Sequence, residues 1–124
     1  MNIVDSSAWL EYFVDGPNAG FFASAIEDQK KLVVPSVCVY EVFKVILRQA
    51  GKKEALEKSA AMRQGKIVDL TASLALQAAS LSLKHDLAMA DSIVLATARV
   101  HKAVLWTQDA DFERLPSVRF RPEK

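Results

Sequence analysis

Asn2-Ile3-Val4-Asp5-Ser6-Ser7-Ala8-Trp9-Leu10 is the stretch on which the fold turns. Its short apolar opening reads as a buried strand. The Asp-Ser-Ser after it reads as a helix start, with Ser6 or Ser7 available as cap and Trp9, Leu10 and Phe13 along the helix. A buried strand that runs straight into a helix is the first half of a βαβ unit. It also leaves Asp5 at the carboxyl end of that strand.

The same alternation continues outward from this start. After a break at Gly16-Pro17, a second helical pattern runs through Phe21, Phe22, Ala25 and Ile26. Leu32-Val33-Val34-Pro35 reads as a second buried strand stopped by proline. Residues 36 to 50 read as a helix ended by Gly51, and 52 to 63 as another ended near Gly65. Ile67 to Leu70 is a third strand. Thr71 to Leu83 and Ala88 to Lys102 are helical by spacing, with Asp86 as cap of the second. Val104-Leu105-Trp106 is a fourth strand and Val118-Arg119-Phe120 a fifth. The pattern predicts an α/β fold with a central parallel sheet of about five strands, flanked by helices and joined by right-handed crossovers. With 124 residues, no repeat, no low-complexity tract and no linker, one domain over 1–124 is expected.

Composition narrows the function classes. Hydrophobic residues are 51% and charged residues 25%, the balance of an ordered globular chain. The single cysteine, Cys38, cannot close a disulfide within the chain, and no Cys or His grouping has zinc-ligand spacing. Met1 leads directly into Ile3, Val4 and Asp5 without a basic or apolar leader, and no uncharged run approaches the roughly 18 residues of a membrane span. A reducing cytoplasm, without membrane attachment, is the expected location. Net charge is +1, yet its distribution is uneven. Residues 1–29 hold five acids and no Lys or Arg, whereas residues 30–66 hold nine Lys or Arg against three acids. A basic centre beside an acidic start can attract phosphate and keep a carboxylate site intact; it can equally be a solvated helix face.

In an open parallel sheet, ligands collect beyond the carboxyl ends of the strands where the strand order reverses. Asp5 ends the first strand and Asp109 lies just past the fourth. Asp91 sits in the first turns of the helix feeding the fourth strand, and Glu41 early in the helix after the second. All four can face one cleft. Clustered carboxylates repel one another, and a hard divalent ion such as Mg²⁺ or Mn²⁺ resolves that repulsion with all-oxygen ligation. Each acid also has an ordinary reading. Asp91 can complement a helix dipole. Asp109 can close an Asx-turn, with Asp111 capping a short helix through Phe112 and Leu115. Glu41 shares a stripe with Lys44 and Arg48, the pattern of a solvated face. Asp5 is harder to assign so plainly, because a carboxylate ending a buried strand needs partners or a ligand.

Four segments taken together resemble the PIN-domain family, and within it VapC-like toxins. They are Asn2-Ile3-Val4-Asp5-Ser6-Ser7, Val39-Tyr40-Glu41-Val42, Leu87-Ala88-Met89-Ala90-Asp91-Ser92 and Leu105-Trp106-Thr107-Gln108-Asp109-Ala110-Asp111-Phe112. Their order and spacing span essentially the whole chain. The resemblance implies a three-layer PIN-like fold and a Mg²⁺- or Mn²⁺-dependent endoribonuclease that hydrolyses RNA. Asp5, Glu41, Asp91 and Asp109 fall on the family's acidic quartet. Thr107 and Ser6 would support the site through their hydroxyls, and Asp111 would contribute from its periphery. A homodimer held inactive by a VapB-like antitoxin is also implied. Trp106 departs from the small or aliphatic residue expected at its place. In the helix of Glu41, Val39, Phe43, Ile46 and Leu47 are expected to face the sheet. Cys38, Val42 and Val45 form a second apolar strip, open to a partner or to the interior. Lys44, Arg48 and the basic 52–66 segment are candidates for phosphate contacts.

Other classes fit less well. A non-catalytic RNA-binding domain on the same sheet stays open. A receiver-type signalling domain would use Asp69 after the third strand, but would also want an acidic pair after the first strand and a Lys after the fifth. An aspartyl phosphatase would want an acid where Ser7 stands. A calcium loop starting at Asp109 has Arg114 where Gly is required and Phe120 where Glu is required. No H-E-x-x-H, P-loop or G-x-G-x-x-G occurs.

Overall fold

The computed structural model describes all 124 residues. In chain order the elements are β1 (Asn2–Val4), α1 (Ser6–Phe13), α2 (Ala19–Ile26), β2 (Leu32–Pro35), α3 (Ser36–Ala50), α4 (Lys52–Met62) and β3 (Lys66–Val68). They continue with α5 (Ala72–His85), α6 (Met89–Val100), β4 (Val104–Thr107) and β5 (Val118–Phe120). Short 3₁₀ turns cover Gln29–Lys31 and Ala110–Phe112. The five strands form one sheet in the order β3-β2-β1-β4-β5, and every adjacent pair is parallel. From β1 the chain builds outward to β2 and β3, then returns through α5 and α6 to place β4 on the other side of β1. The reversal of strand order therefore lies between β1 and β4. A receiver orders its strands 2-1-3-4-5, so that alternative is excluded by connectivity. Asp69, its required acid, is exposed beside an edge strand.

Helices cover both faces of the sheet. The sign is that consecutive residues in the inner strands are buried, namely Ile3 and Val4, Val33 and Val34, and Leu105 and Trp106. The edge strands are short and carry Lys66 and Arg119, which discourages pairing with another edge. The most enclosed helix is α6, in which Ser92 through Ala98 are all buried. An apolar character all the way round is what a helix wedged between layers requires. Its hydroxyls are satisfied within the helix: Ser92 Oγ donates to Met89 O at 2.7 Å and Thr97 Oγ1 to Ile93 O at 2.8 Å.

Three local expectations are corrected. The cap of α1 is neither serine but Asp5, whose side chain accepts from the Ala8 N–H. Asp86 ends α5 in the left-handed region (φ 54°) instead of starting α6, whose N-cap is Ala88. The stretch from His85 to Leu87 is too tight for a separate capping turn, so one residue in left-handed conformation reverses the chain. On α3 the two apolar strips exchange roles. Cys38 and Val42 are fully buried, whereas Val39, Phe43 and Ile46 are half-buried and Leu47 is exposed. Cys38 Sγ lies against Val4 O of β1 (3.9 Å), so the strip with Cys38 and Val42 is the one turned to the sheet, which the periodicity of α3 alone could not foresee. Trp106 is accommodated by its surroundings: its Nε1 donates to Asn2 Oδ1 at 3.0 Å, and its ring lies 5.1 Å from that of Phe21.

Candidate metal centre

Asp5 follows β1 directly, and its backbone N–H still donates to Trp106 O (3.1 Å), so the residue is held in line with β4. The residue is 4% exposed. Oδ1 accepts from Ala8 N (3.1 Å) and Ser7 Oγ (2.9 Å), and Oδ2 accepts from Thr107 Oγ1 (2.8 Å). Burial pushes the Asp5 carboxyl up to about 6; the bonds from Thr107, Ala8 and Ser7 oppose the rise, and the charge of Asp109 adds to it.

The other acids arrive from three separate elements. Asp91, in the first turn of α6, is half-buried, and its carboxyl is pushed up to about 7. Burial is the largest cause, followed by the charges of Asp109, Asp5, Glu41 and Asp111. Glu41 is drawn inward from α3, its Oε1 accepting from Ser6 Oγ at 2.6 Å, while Lys44 and Arg48 stay exposed. Asp109 caps the 3₁₀ turn, Oδ1 accepting from Asp111 N at 2.9 Å, and its own N–H donates to Thr107 Oγ1 at 2.9 Å. The ordinary reading of Asp109 as a turn-closing residue therefore holds alongside its place in the cleft. Asp111 is not the cap; it is exposed, with a carboxylate beside those of Asp91 and Asp109.

Asp5, Glu41, Asp91 and Asp109 line one cleft of about 250 Å³, with Ser6 and Ser7 on its wall and Leu10, Val45 and Val94 as apolar lining. It lies at the carboxyl end of the sheet, over the β1–β4 reversal. Ligand oxygens of Asp91, Asp109 and Asp111 all come within 4.8 Å of one another. The tightest grouping thus includes Asp111, which sequence reasoning placed at the periphery. Thr107 bridges two of the acids by donating to Asp5 and accepting from the Asp109 N–H. Ser7 is a contributor that the sequence showed only as a potential cap; a serine beside a strand-end aspartate carries no further signal. The donor set is all oxygen, and the lining residues include no Lys, Arg or His. Carboxylates gathered without a cationic side chain, two of them raised chiefly by burial and further by neighbouring acids, fit a hard divalent cation.

The family model described as the PIN domain matches residues 3–118. A comparison with curated protein sequences finds no match. Among solved structures, a toxin–antitoxin complex from Klebsiella pneumoniae superposes with a TM-score of 0.81 at 19% identity, covering 96% of each chain. VapC20 of Mycobacterium tuberculosis, a toxin that cleaves the sarcin–ricin loop, gives 0.79 at 22% identity over 98% of this chain and 100% of that one. DNA-bound VapBC from Salmonella typhimurium gives 0.74 at 12% identity, covering 98% of each chain. At these identities the likeness is one of fold.

Proposed function

This chain belongs to the PIN-domain family, and from that premise we propose that it is a metal-dependent endoribonuclease acting as the toxin of a toxin–antitoxin pair. The observation that carries the reading is the convergence of Asp5, Glu41, Asp91 and Asp109, from four separate parts of the chain, in one cleft at the strand-order reversal. A purely structural role would not require four acids to share a space that raises the pKa of two of them.

Asp91, Asp109 and Asp111 would hold Mg²⁺ or Mn²⁺ on one side of the cleft, with Asp5 and Glu41 completing the ligand set directly or through water. When bound, such an ion supplies Lewis-acid charge at a phosphodiester and lowers the pKa of an attacking water. Thr107 keeps the Asp5 carboxylate aimed by its hydroxyl, and Ser6 does the same for Glu41. Leu10, Val45 and Val94 shield one side of the carboxylates from solvent, which strengthens their interaction with a cation. Lys44 and Arg48 lie on the exposed side of the helix that carries Glu41 and Val45, where they can meet the phosphates of an RNA strand.

Support for protein partners comes from the structural neighbours, which include toxin–antitoxin complexes. A VapB-like antitoxin as regulator and a homodimer as the working form belong to the same reading. The α5–α6 groove suits a second copy. It is lined by Leu70, Ala79, Leu83 and Met89, and residues 70–83 carry no charge, so a twofold axis there would set no charge against itself. No helix is long and apolar enough to cross a membrane, and action in the cytoplasm on RNA agrees with that.

The test is cleavage of a labelled structured RNA with Mg²⁺ or Mn²⁺, with EDTA, and by Asp5→Asn and Asp91→Asn variants shown to be folded by circular dichroism. Each variant is expected to lose more than about 100-fold in rate, beyond the usual cost of removing a group that only orients a metal ligand. Wild-type rates in the folded variants would refute the assignment. Metal-independent binding of RNA without cleavage would favour the non-catalytic alternative.

A further inference from the structure

Asp109 is held by the Thr107 hydroxyl, which accepts its N–H, and a second contact network reaches the same strand exit through Gln108. Gln108, 8% exposed, accepts at Oε1 from Asn18 Nδ2 (3.1 Å), and its Nε2 donates to Ser7 O at 3.5 Å. Asn18 is 2% exposed and stands at the start of α2. Its Nδ2 also donates to Pro122 O (2.9 Å), and its backbone N–H donates to Glu11 Oε2 (2.7 Å). The Pro122 carbonyl can only accept, so the orientation of the Asn18 amide is determined. Its Oδ1 is buried without a hydrogen-bond partner. Such an atom costs about 1–3 kcal/mol, so an amide here is a poor way to gain stability. What it achieves is geometry, because one side chain ties the α1–α2 turn and the C-terminal tail to the exit of β4. Gln108 then links that exit to the first turn of α1, two residues past Asp5.

We infer that the buried Asn18–Gln108 amide pair sets the place of Asp109 relative to Asp5, making both amides positioning residues of the metal centre. This role rests on the proposed metal site. Neither amide lines the acidic cleft, so both would act through the backbone of residues 107–109.

The test compares Gln108→Leu, Asn18→Ala and the double variant with wild type, using Leu74→Ala in the separate α5–α6 cluster as a control that lowers stability elsewhere. Calorimetric Mn²⁺ affinity is expected to fall about 10-fold or more in each single variant. The double variant should be no weaker than the worse single, since both act through one contact. Metal-free amide exchange at Asp109 and Asp111 should accelerate in the same variants. Leu74→Ala should change neither readout. Unchanged Mn²⁺ affinity in folded Gln108→Leu, or an equal loss in Leu74→Ala, would overturn the inference. A wild-type protein that binds no Mn²⁺ would defeat the metal reading. In that case the exchange rates still decide the positioning claim, upheld by acceleration in Gln108→Leu and refuted by none.

Discussion

Asp5 shows how one side chain serves structure and site together. It caps α1 through Oδ1 and receives the Thr107 hydroxyl at Oδ2, while facing the cleft it shares with the other acids. Thr107 is fully buried, and its hydroxyl both donates to Asp5 and accepts from the Asp109 N–H. Replacing it with valine keeps the shape and removes both bonds. Thr107→Val is therefore expected to lower unfolding free energy by about 1–3 kcal/mol, read by urea denaturation, because the buried Asp5 carboxylate and the part-buried Asp109 N–H each lose a partner. A loss below the resolution of the measurement would mean that water replaces the hydroxyl. At this scale the acids of the cleft were legible from their places, Asp5 and Asp109 after strands and Glu41 and Asp91 near helix starts. The bonds between them were not, since Thr107 and Asp5 are 102 residues apart.

The elements follow from local chemistry where a single residue dictates the backbone. Gly51 separates α3 from α4 at φ 90° and ψ 177°, a conformation that is essentially restricted to glycine, and it still donates its N–H to Leu47 O. Space for a methyl group is present, so the cost of Gly51→Ala is conformational. It should destabilise by about 1–3 kcal/mol in the same denaturation experiment, while Mn²⁺ affinity stays at the wild-type value. A coupled loss of affinity would show that the α3–α4 angle governs Glu41. Gly51 was readable as a helix stop because glycine has few other reasons to stand there. Asp86 was misplaced because an aspartate suits an N-cap and a left-handed C-cap alike. The strips of α3 were exchanged for a related reason: periodicity shows that two apolar faces exist, and only the packing of distant segments decides which one meets the sheet.

The whole molecule concentrates negative charge at one end of its sheet, and pH should reveal it. Asp5 and Asp91 rise from 3.8 in the unfolded chain to about 6 and about 7 in the fold. Between pH 4 and 7 the folded state thus holds protons that the unfolded state has released. The stability that these two groups contribute to the metal-free protein falls as pH rises through that window, and the loss is complete above it. For the fully buried Asp5 the shift corresponds to roughly 3 kcal/mol. The melting temperature in EDTA is expected to decline from pH 5 to pH 7, and added Mn²⁺ to raise it more at pH 8 than at pH 5, where protons compete for the same oxygens. A melting temperature that is flat or rising in EDTA would contradict the burial of these carboxylates. What the sequence alone determined is the alternation of strands and helices, the parallel sheet and the acids at its carboxyl end. These depend on apolar periodicity and on position at strand ends or helix starts, which are local properties. Strand order, the place of Asp111 beside Asp91 and Asp109, the bridging by Thr107 and the Asn18–Gln108 link were decided only in three dimensions. They depend on which distant segments the packing of α6 and the reversal at β1 bring into contact, and no local pattern encodes such a distance.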